Sequence, residues 1–182
     1  MPDKFCYLQI KPKLAKCISR CDISLQDILF SLFQDSVCAS ASQVVISTST
    51  LDEKTWLSVT DDGEEIFENK LTKFGRSRSA NKDTYFIKFS RQLSICNLLQ
   101  RGAIVESKKL SLAISPGNFP ISTEVQMRSS QVERGTKISF PIATGEVTQL
   151  LRVVKCLALF SPIAIVLNGS SFTRKERLLV PV

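Results

Sequence analysis

The sequence contains no histidine. No Ser-His-Asp or Cys-His arrangement can be assembled within the chain, and a general base is limited to a carboxylate, Lys, Tyr or Cys. A mixed Cys/His zinc site is excluded with it. Six cysteines are present, at positions 6, 17, 21, 38, 96 and 156, without any Cys-x-x-Cys spacing. Cys17 and Cys21 are the one close pair, whereas an all-cysteine zinc site draws on two. The cysteines are therefore expected as reduced, mostly buried thiols. No apolar run approaches the roughly 20 residues of a membrane-spanning helix. Met1-Pro-Asp-Lys-Phe-Cys6 lacks the long apolar core of a secretory signal. An intracellular protein without a membrane partner is expected.

Acidic residues are the minority, 17 against 24 Lys and Arg, for a net charge of +7. Lys70, Lys73, Arg76, Arg78, Lys82, Lys88 and Arg91 fall in one stretch that holds a single acid, Asp83. A second basic group is Arg174, Lys175 and Arg177. Such patches suit the phosphates of a nucleic acid or a nucleotide, and they equally make ordinary solvated surface. The 182 residues suffice for one well-buried domain and are short for two.

Phe5–Ile10 alternates loosely and reads as a strand that Pro12 would end. Ser24-Leu-Gln-Asp27 has the form of a capping box, a serine hydroxyl for a free helix N–H and an acid three residues on. Leu25, Ile28, Leu29, Leu32 and Phe33 then follow the helical repeat as one apolar face. The small residues Ala39-Ser-Ala-Ser42 break the helix. Gln43–Ser49 and Trp56–Thr60 are β-rich runs around a polar turn at 51–54, which makes an antiparallel hairpin. Residues 64–84 read as a basic loop with at most a short helix. The apolar residues at 86, 89, 93, 96 and 99 predict a helix over 85–99, stopped by Gly102. Strands are expected at 103–106, 109–115, 123–128 and 137–140. Residues 146–160 form a second helix, with Val147, Leu150, Leu151, Val154 and Leu157 or Ala158 as its buried stripe. Ile163–Leu167, the pair Asn168-Gly169 and residues 171–180 predict a closing hairpin. The class is α+β, a two-layer sandwich of helices on a mainly antiparallel sheet.

The order of these parts resembles the GHKL ATPase superfamily, which takes in MutL, gyrase B, topoisomerase VI B and histidine kinases. MutL-type domains fit best. Their first motif, Glu-Leu-Val-x-Asn-Ser-x-Asp-Ala-Gly-Ala-Thr-x-Ile, is similar without a gap to Ser31–Val44: Leu32, Ser36, Ala39 and Ala41 match, and Phe33, Ser42 and Val44 are similar. The glutamate that polarises the attacking water falls on Ser31, the Mg²⁺-binding asparagine on Asp35, and the next acid on Cys38. Asp61-Asp-Gly63 keeps the first half of the Asp-x-Gly-x-Gly motif, with Glu65 at the second glycine. The resemblance makes Asp61 the acceptor for an adenine amino group. Lys73–Ser79 resembles the start of an ATP lid within 64–84, and 87–93 falls on the phosphate-cradling motif with both glycines replaced. Gly135-Thr136 resembles the final Gly-Thr motif, and Leu157–Gly169 the helix and hairpin that follow it.

By this resemblance the fold is the Bergerat type, a mixed, mainly antiparallel sheet with helices on one face, across residues 1–182. It implies ATP and Mg²⁺ as ligands, with Asp35, Asp61, Gly63, Gly135 and Thr136 as binding positions and Asp35 as the metal ligand. Lys70, Lys73, Arg76 and Arg78 are the phosphate or DNA contacts. A serine in place of the catalytic glutamate, with no histidine to activate it, points to a pseudo-ATPase. Its implied role is assembly, with a protein partner or as a homodimer, together with DNA binding in repair or meiotic recombination, hence in the nucleus. Two alternatives are a switch that binds ATP and Mg²⁺ without efficient hydrolysis, and an active ATPase that uses a displaced acid such as Asp27.

Overall fold

Two-residue turns and β-branched runs build the described sheet, and the apolar faces of two amphipathic helices pack on it. The computed structural model describes residues 4–9, 23–64, 71–73, 85–88, 101–108, 110–116 and 122–172. In chain order these hold β1 (Lys4–Gln9), α1 (Leu25–Cys38), β2 (Gln43–Leu51), β3 (Lys54–Asp61), β4 (Leu71–Lys73), β5 (Tyr85–Lys88) and β6 (Ala103–Ser107). They continue with β7 (Leu110–Ile114), β8 (Ser122–Ser129), β9 (Thr136–Ile142), α2 (Thr144–Phe160), β10 (Ala164–Leu167) and β11 (Ser170–Phe172). The strands form one sheet in the order β11-β10-β2-β3-β9-β6-β7-β8-β1-β5-β4. β1 with β5 and β10 with β2 run parallel, and the other pairings are antiparallel. The fold is α+β, a mixed and mainly antiparallel sheet with, among the described residues, two helices, as the sequence pattern predicts.

α1 begins where the capping box places it: the Asp27 N–H donates to Ser24 Oγ and the Ser24 N–H to the Asp27 carboxylate. Its buried face is Leu25, Ile28, Leu29, Leu32 and, one turn further, Ser36. α2 starts two residues earlier than expected. Glu146 accepts the Ala143 N–H and both ends of the Arg101 guanidinium. Its buried stripe is Leu150, Val153, Val154, Leu157 and Ala158, whereas Val147 and Leu151 are exposed. The stripe is rotated from the expected one because α2 packs against both α1 and β10, which turns Val153 inward.

The pairings set the core in rows, since directly opposed residues share a sheet face. Leu167, Ile46, Val59, Ile138, Val105 and Leu112 form one wholly buried row across β10, β2, β3, β9, β6 and β7. The same face carries Leu57 and Phe140, neither of which has any exposed surface. The helices' apolar faces complete this single cluster.

Three expectations are corrected. Tyr85–Lys88 is a strand, parallel to β1 and antiparallel to β4, and not the start of a helix. Its aromatic and β-branched residues suit a sheet once a distant partner is supplied. Residues 89–99 lie outside the described residues. The basic loop contains a strand, β4, at Leu71–Lys73. Cys38 and Cys156 are free and exposed rather than buried, each standing off the apolar stripe of its helix; the other four cysteines fall outside the described side chains. The predicted strand after Asn168-Gly169 is present as β11, and 173–180 lie outside the described residues.

Candidate functional site

The next row along the same sheet face is Ile165, Val44, Asp61, Thr136 and Ser107, on β10, β2, β3, β9 and β6. It starts apolar and turns polar. Alternation along β3 and β9 puts Asp61 and Thr136 on the helix-covered face, two residues from the core residues Val59 and Ile138. They stand directly opposite each other, with Cβ atoms about 5 Å apart in such pairs. The last turn of α1 closes over them, and Ser36 is its contact.

Asp61 is half-buried and heavily engaged. Its Oδ2 lies 3.1 Å from Ser36 Oγ, and its Oδ1 accepts the Gly63 N–H at 3.0 Å. Burial pushes the carboxyl above the usual aspartate range, these two donors and the Thr136 backbone pull it back, and the neighbouring Asp62 charge adds to the rise. Thr136 is 3% exposed, and its hydroxyl has no hydrogen-bond partner. Ser107, with no exposed surface, donates to the Gly135 carbonyl at 2.7 Å.

The turns around the row are tightly fitted. Gly135 has φ +73°, and a Cβ there would lie 2.0 Å from the Asp61 carbonyl oxygen. Gly63 abuts the end of α1, where a Cβ would meet the Ala39 carbonyl oxygen at 2.6 Å. The Glu64 N–H donates to that same carbonyl at 2.7 Å. This close approach accounts for the small residues at 39–42. Asp62 locks the corner from outside: it accepts the N–H groups of Ser42 and Gln43, at 2.8 and 3.1 Å, and the Ser42 hydroxyl. The Ser42 hydroxyl leads in holding the Asp62 carboxyl down to about 2.

The structure therefore brings together Asp61 and Gly63 with Gly135 and Thr136, two pairs that lie far apart in sequence. Asp35 sits half-buried on α1, one residue before Ser36. Among the described residues no group of three or more His, Cys, Asp or Glu side chains converges on a metal position. Asp27 is held in the capping box. Lys73 lies on β4 at one end of the sheet, seven strands along from β3, and the sheet order separates it from Asp61. Lys70, Arg76 and Arg78 lie outside the described residues.

Sequence reasoning missed Ser36 as a site residue, although its spacing from Leu32 continues the buried stripe. It missed Ser107 too, whose only signal was its place in an alternating strand. The chain matches no protein-family model and no curated protein.

Proposed function

We propose that this chain is a GHKL-type nucleotide-binding domain that holds an adenine base at Asp61 and Thr136 and does not hydrolyse the nucleotide. One observation carries the reading: a buried, unpartnered Thr136 hydroxyl directly across from a half-buried carboxylate. An unsatisfied buried hydroxyl costs about 1–3 kcal/mol, and native proteins keep few of them. A carboxylate can only accept, while a hydroxyl can also donate. A ligand edge with an N–H donor beside a ring-nitrogen acceptor satisfies both groups together. The amino edge of adenine has that pattern. A purine with an oxo group there sets an acceptor against a carboxylate that cannot donate.

The chemistry available is holding rather than turnover. Ser31 occupies the position of the water-activating acid, and without a histidine it has no partner to make it a base. ATP would be held by its base at Asp61 and Thr136, and Mg²⁺ chiefly through the nucleotide phosphates and Asp35. With hydrolysis absent, occupancy is left to govern assembly with a protein partner or a second copy. The basic stretch with Lys70, Lys73, Arg76 and Arg78 is proposed for DNA phosphates, in keeping with a repair or recombination setting in the nucleus.

Thermal melting with and without Mg²⁺ and a non-hydrolysable ATP analogue tests the pocket. At about 100 times the dissociation constant the ligand adds about 2.7 kcal/mol, a rise of a few degrees for a chain of this size. The rise should vanish in Asp61→Asn. No rise at millimolar nucleotide would overturn the reading.

A further inference from the structure

Ser36 is an unusual residue for the buried face of a helix, which it ends in the last turn of α1. It is 2% exposed, and its hydroxyl lies within reach of two acceptors, the Leu32 carbonyl at 3.0 Å and Asp61 Oδ2 at 3.1 Å. A serine hydroxyl carries one proton. It can aim that proton well at one of the two, and the choice depends on what Asp61 carries.

With Asp61 ionised, Oδ2 is the stronger acceptor, because a bond to a charged group is roughly twice as strong as a neutral one. Ser36 then donates to Asp61, and the Leu32 carbonyl keeps only its place in the helix ladder. With Asp61 protonated on Oδ2, the acid is itself a donor. Ser36 Oγ accepts that proton's hydrogen bond and turns its own hydrogen back to Leu32, the usual i−4 contact of a helical serine. The two arrangements contain the same heavy atoms at the same distances. They differ by one proton, taken from solvent: the Ser36–Asp61 bond reverses, and a Ser36–Leu32 bond forms.

We infer that Ser36 is the positioning residue of the base pocket, a hydroxyl relay whose direction follows the protonation of Asp61 and which holds that carboxylate as an acceptor for a ligand N–H. The inference rests on the adenine reading for its ligand, but not for the relay itself. Other titratable groups near Asp61 are Asp62 and Glu64 on its own turn, Asp35 and Cys38 on the end of α1, and Glu106 and Lys137, which alternation places on the opposite face of the sheet. Only Asp62 contributes a charge effect at Asp61. A ligand amino group favours the ionised form, so its binding should weaken as acid fills Asp61, and Ser36 sets where that happens.

The test reads Asp61 directly. The side-chain carboxyl ¹³C resonance of Asp61, assigned by its loss in Asp61→Asn, is titrated in the ligand-free protein for the wild type, Ser36→Ala and Ser36→Cys. Cysteine keeps the volume and is a weak donor, so it separates loss of packing from loss of the hydrogen bond. The expected result is a midpoint raised by about one pH unit in both variants. A midpoint unchanged in both, or raised in Ser36→Ala alone, would overturn the relay. Adenosine binding measured on the same samples should weaken about tenfold in both variants. If wild type binds no adenosine while the midpoint still moves, the pocket reading fails and the relay stands.

Discussion

Gly135 lies directly against the backbone of Asp61: an added Cβ would come within 2.0 Å of the Asp61 carbonyl oxygen and 3.0 Å of the Asp62 Cα, at a φ of +73°. Both obstacles are backbone, and neither can swing aside. The contact fixes the start of β9 against the end of β3, and so the alignment of Thr136 with Asp61. Gly135→Ala should therefore cost more than about 2 kcal/mol, combining a left-handed backbone with a steric clash. Urea denaturation measures it. A loss below about 0.5 kcal/mol would mean that the turn relaxes freely and that the alignment does not depend on glycine.

Thr136 separates stability from binding. Valine has nearly the shape of threonine and nothing to leave unsatisfied, so Thr136→Val should leave the ligand-free protein as stable as wild type or more so, by up to about 1 kcal/mol. The same variant should lose most of the stabilisation by the ATP analogue. A variant destabilised by about 1 kcal/mol or more without ligand would show that the hydroxyl already has a partner.

The parts of this arrangement were unequally legible in the sequence. The capping box at Ser24 and Asp27, the apolar face of α1 and the hairpin of β2 and β3 are local patterns, and each forms as read. The polar row depends instead on β3 pairing with β9 and β9 with β6, contacts between distant segments that no local pattern encodes. Asp61, Gly63, Gly135 and Thr136 were found only through the order of a family's motifs. Ser36 was passed over because a serine on an apolar stripe looks like a blemish until its carboxylate partner is in place. Tyr85–Lys88 was misread for the same reason. Its parallel neighbour β1 lies far upstream in the sequence, and periodicity alone could not choose a strand.

The adjacent acids Asp61 and Asp62 should respond to pH in opposite senses. Asp62 is held down to about 2 by the Ser42 hydroxyl and the N–H groups of residues 42 and 43. A depressed acid stabilises the fold above its unfolded value, near 4, and that contribution is lost as pH falls through about 2. Asp61 is raised by burial, so its charge opposes folding as pH climbs past the unfolded value. Asp62→Asn should accordingly lower the melting temperature at pH 6 and make no difference near pH 1.5. An equal deficit at both would trace the loss to packing at the corner. The solvent around Asp62 keeps the effect small.

The turn between β2 and β3 offers the opposite of a fragile site. Leu51 and Lys54 are paired, so the loop is the two residues Asp52 and Glu53, and both are left-handed, with φ of +49° and +61°. That is the type I′ geometry that matches the twist of a hairpin, and its second position favours glycine. The hairpin of β10 and β11 meets the same demand with Asn168 and Gly169, at φ of +47° and +83°. Glu53 has a Cβ where the other turn has none, which costs about 1 kcal/mol or more in this region. Glycine carries its own entropic cost in the unfolded chain, which takes back part of the gain. Glu53→Gly should therefore stabilise the protein by about 0.5–1 kcal/mol, and Asp52→Asn with it should add a few tenths more. The pair should leave nucleotide stabilisation unchanged, since the turn lies at the far end of β3 from Asp61. Differential scanning calorimetry reads the gain directly. A lower melting temperature for Glu53→Gly would mean that the glutamate side chain makes a stabilising contact at the turn that outweighs its backbone strain.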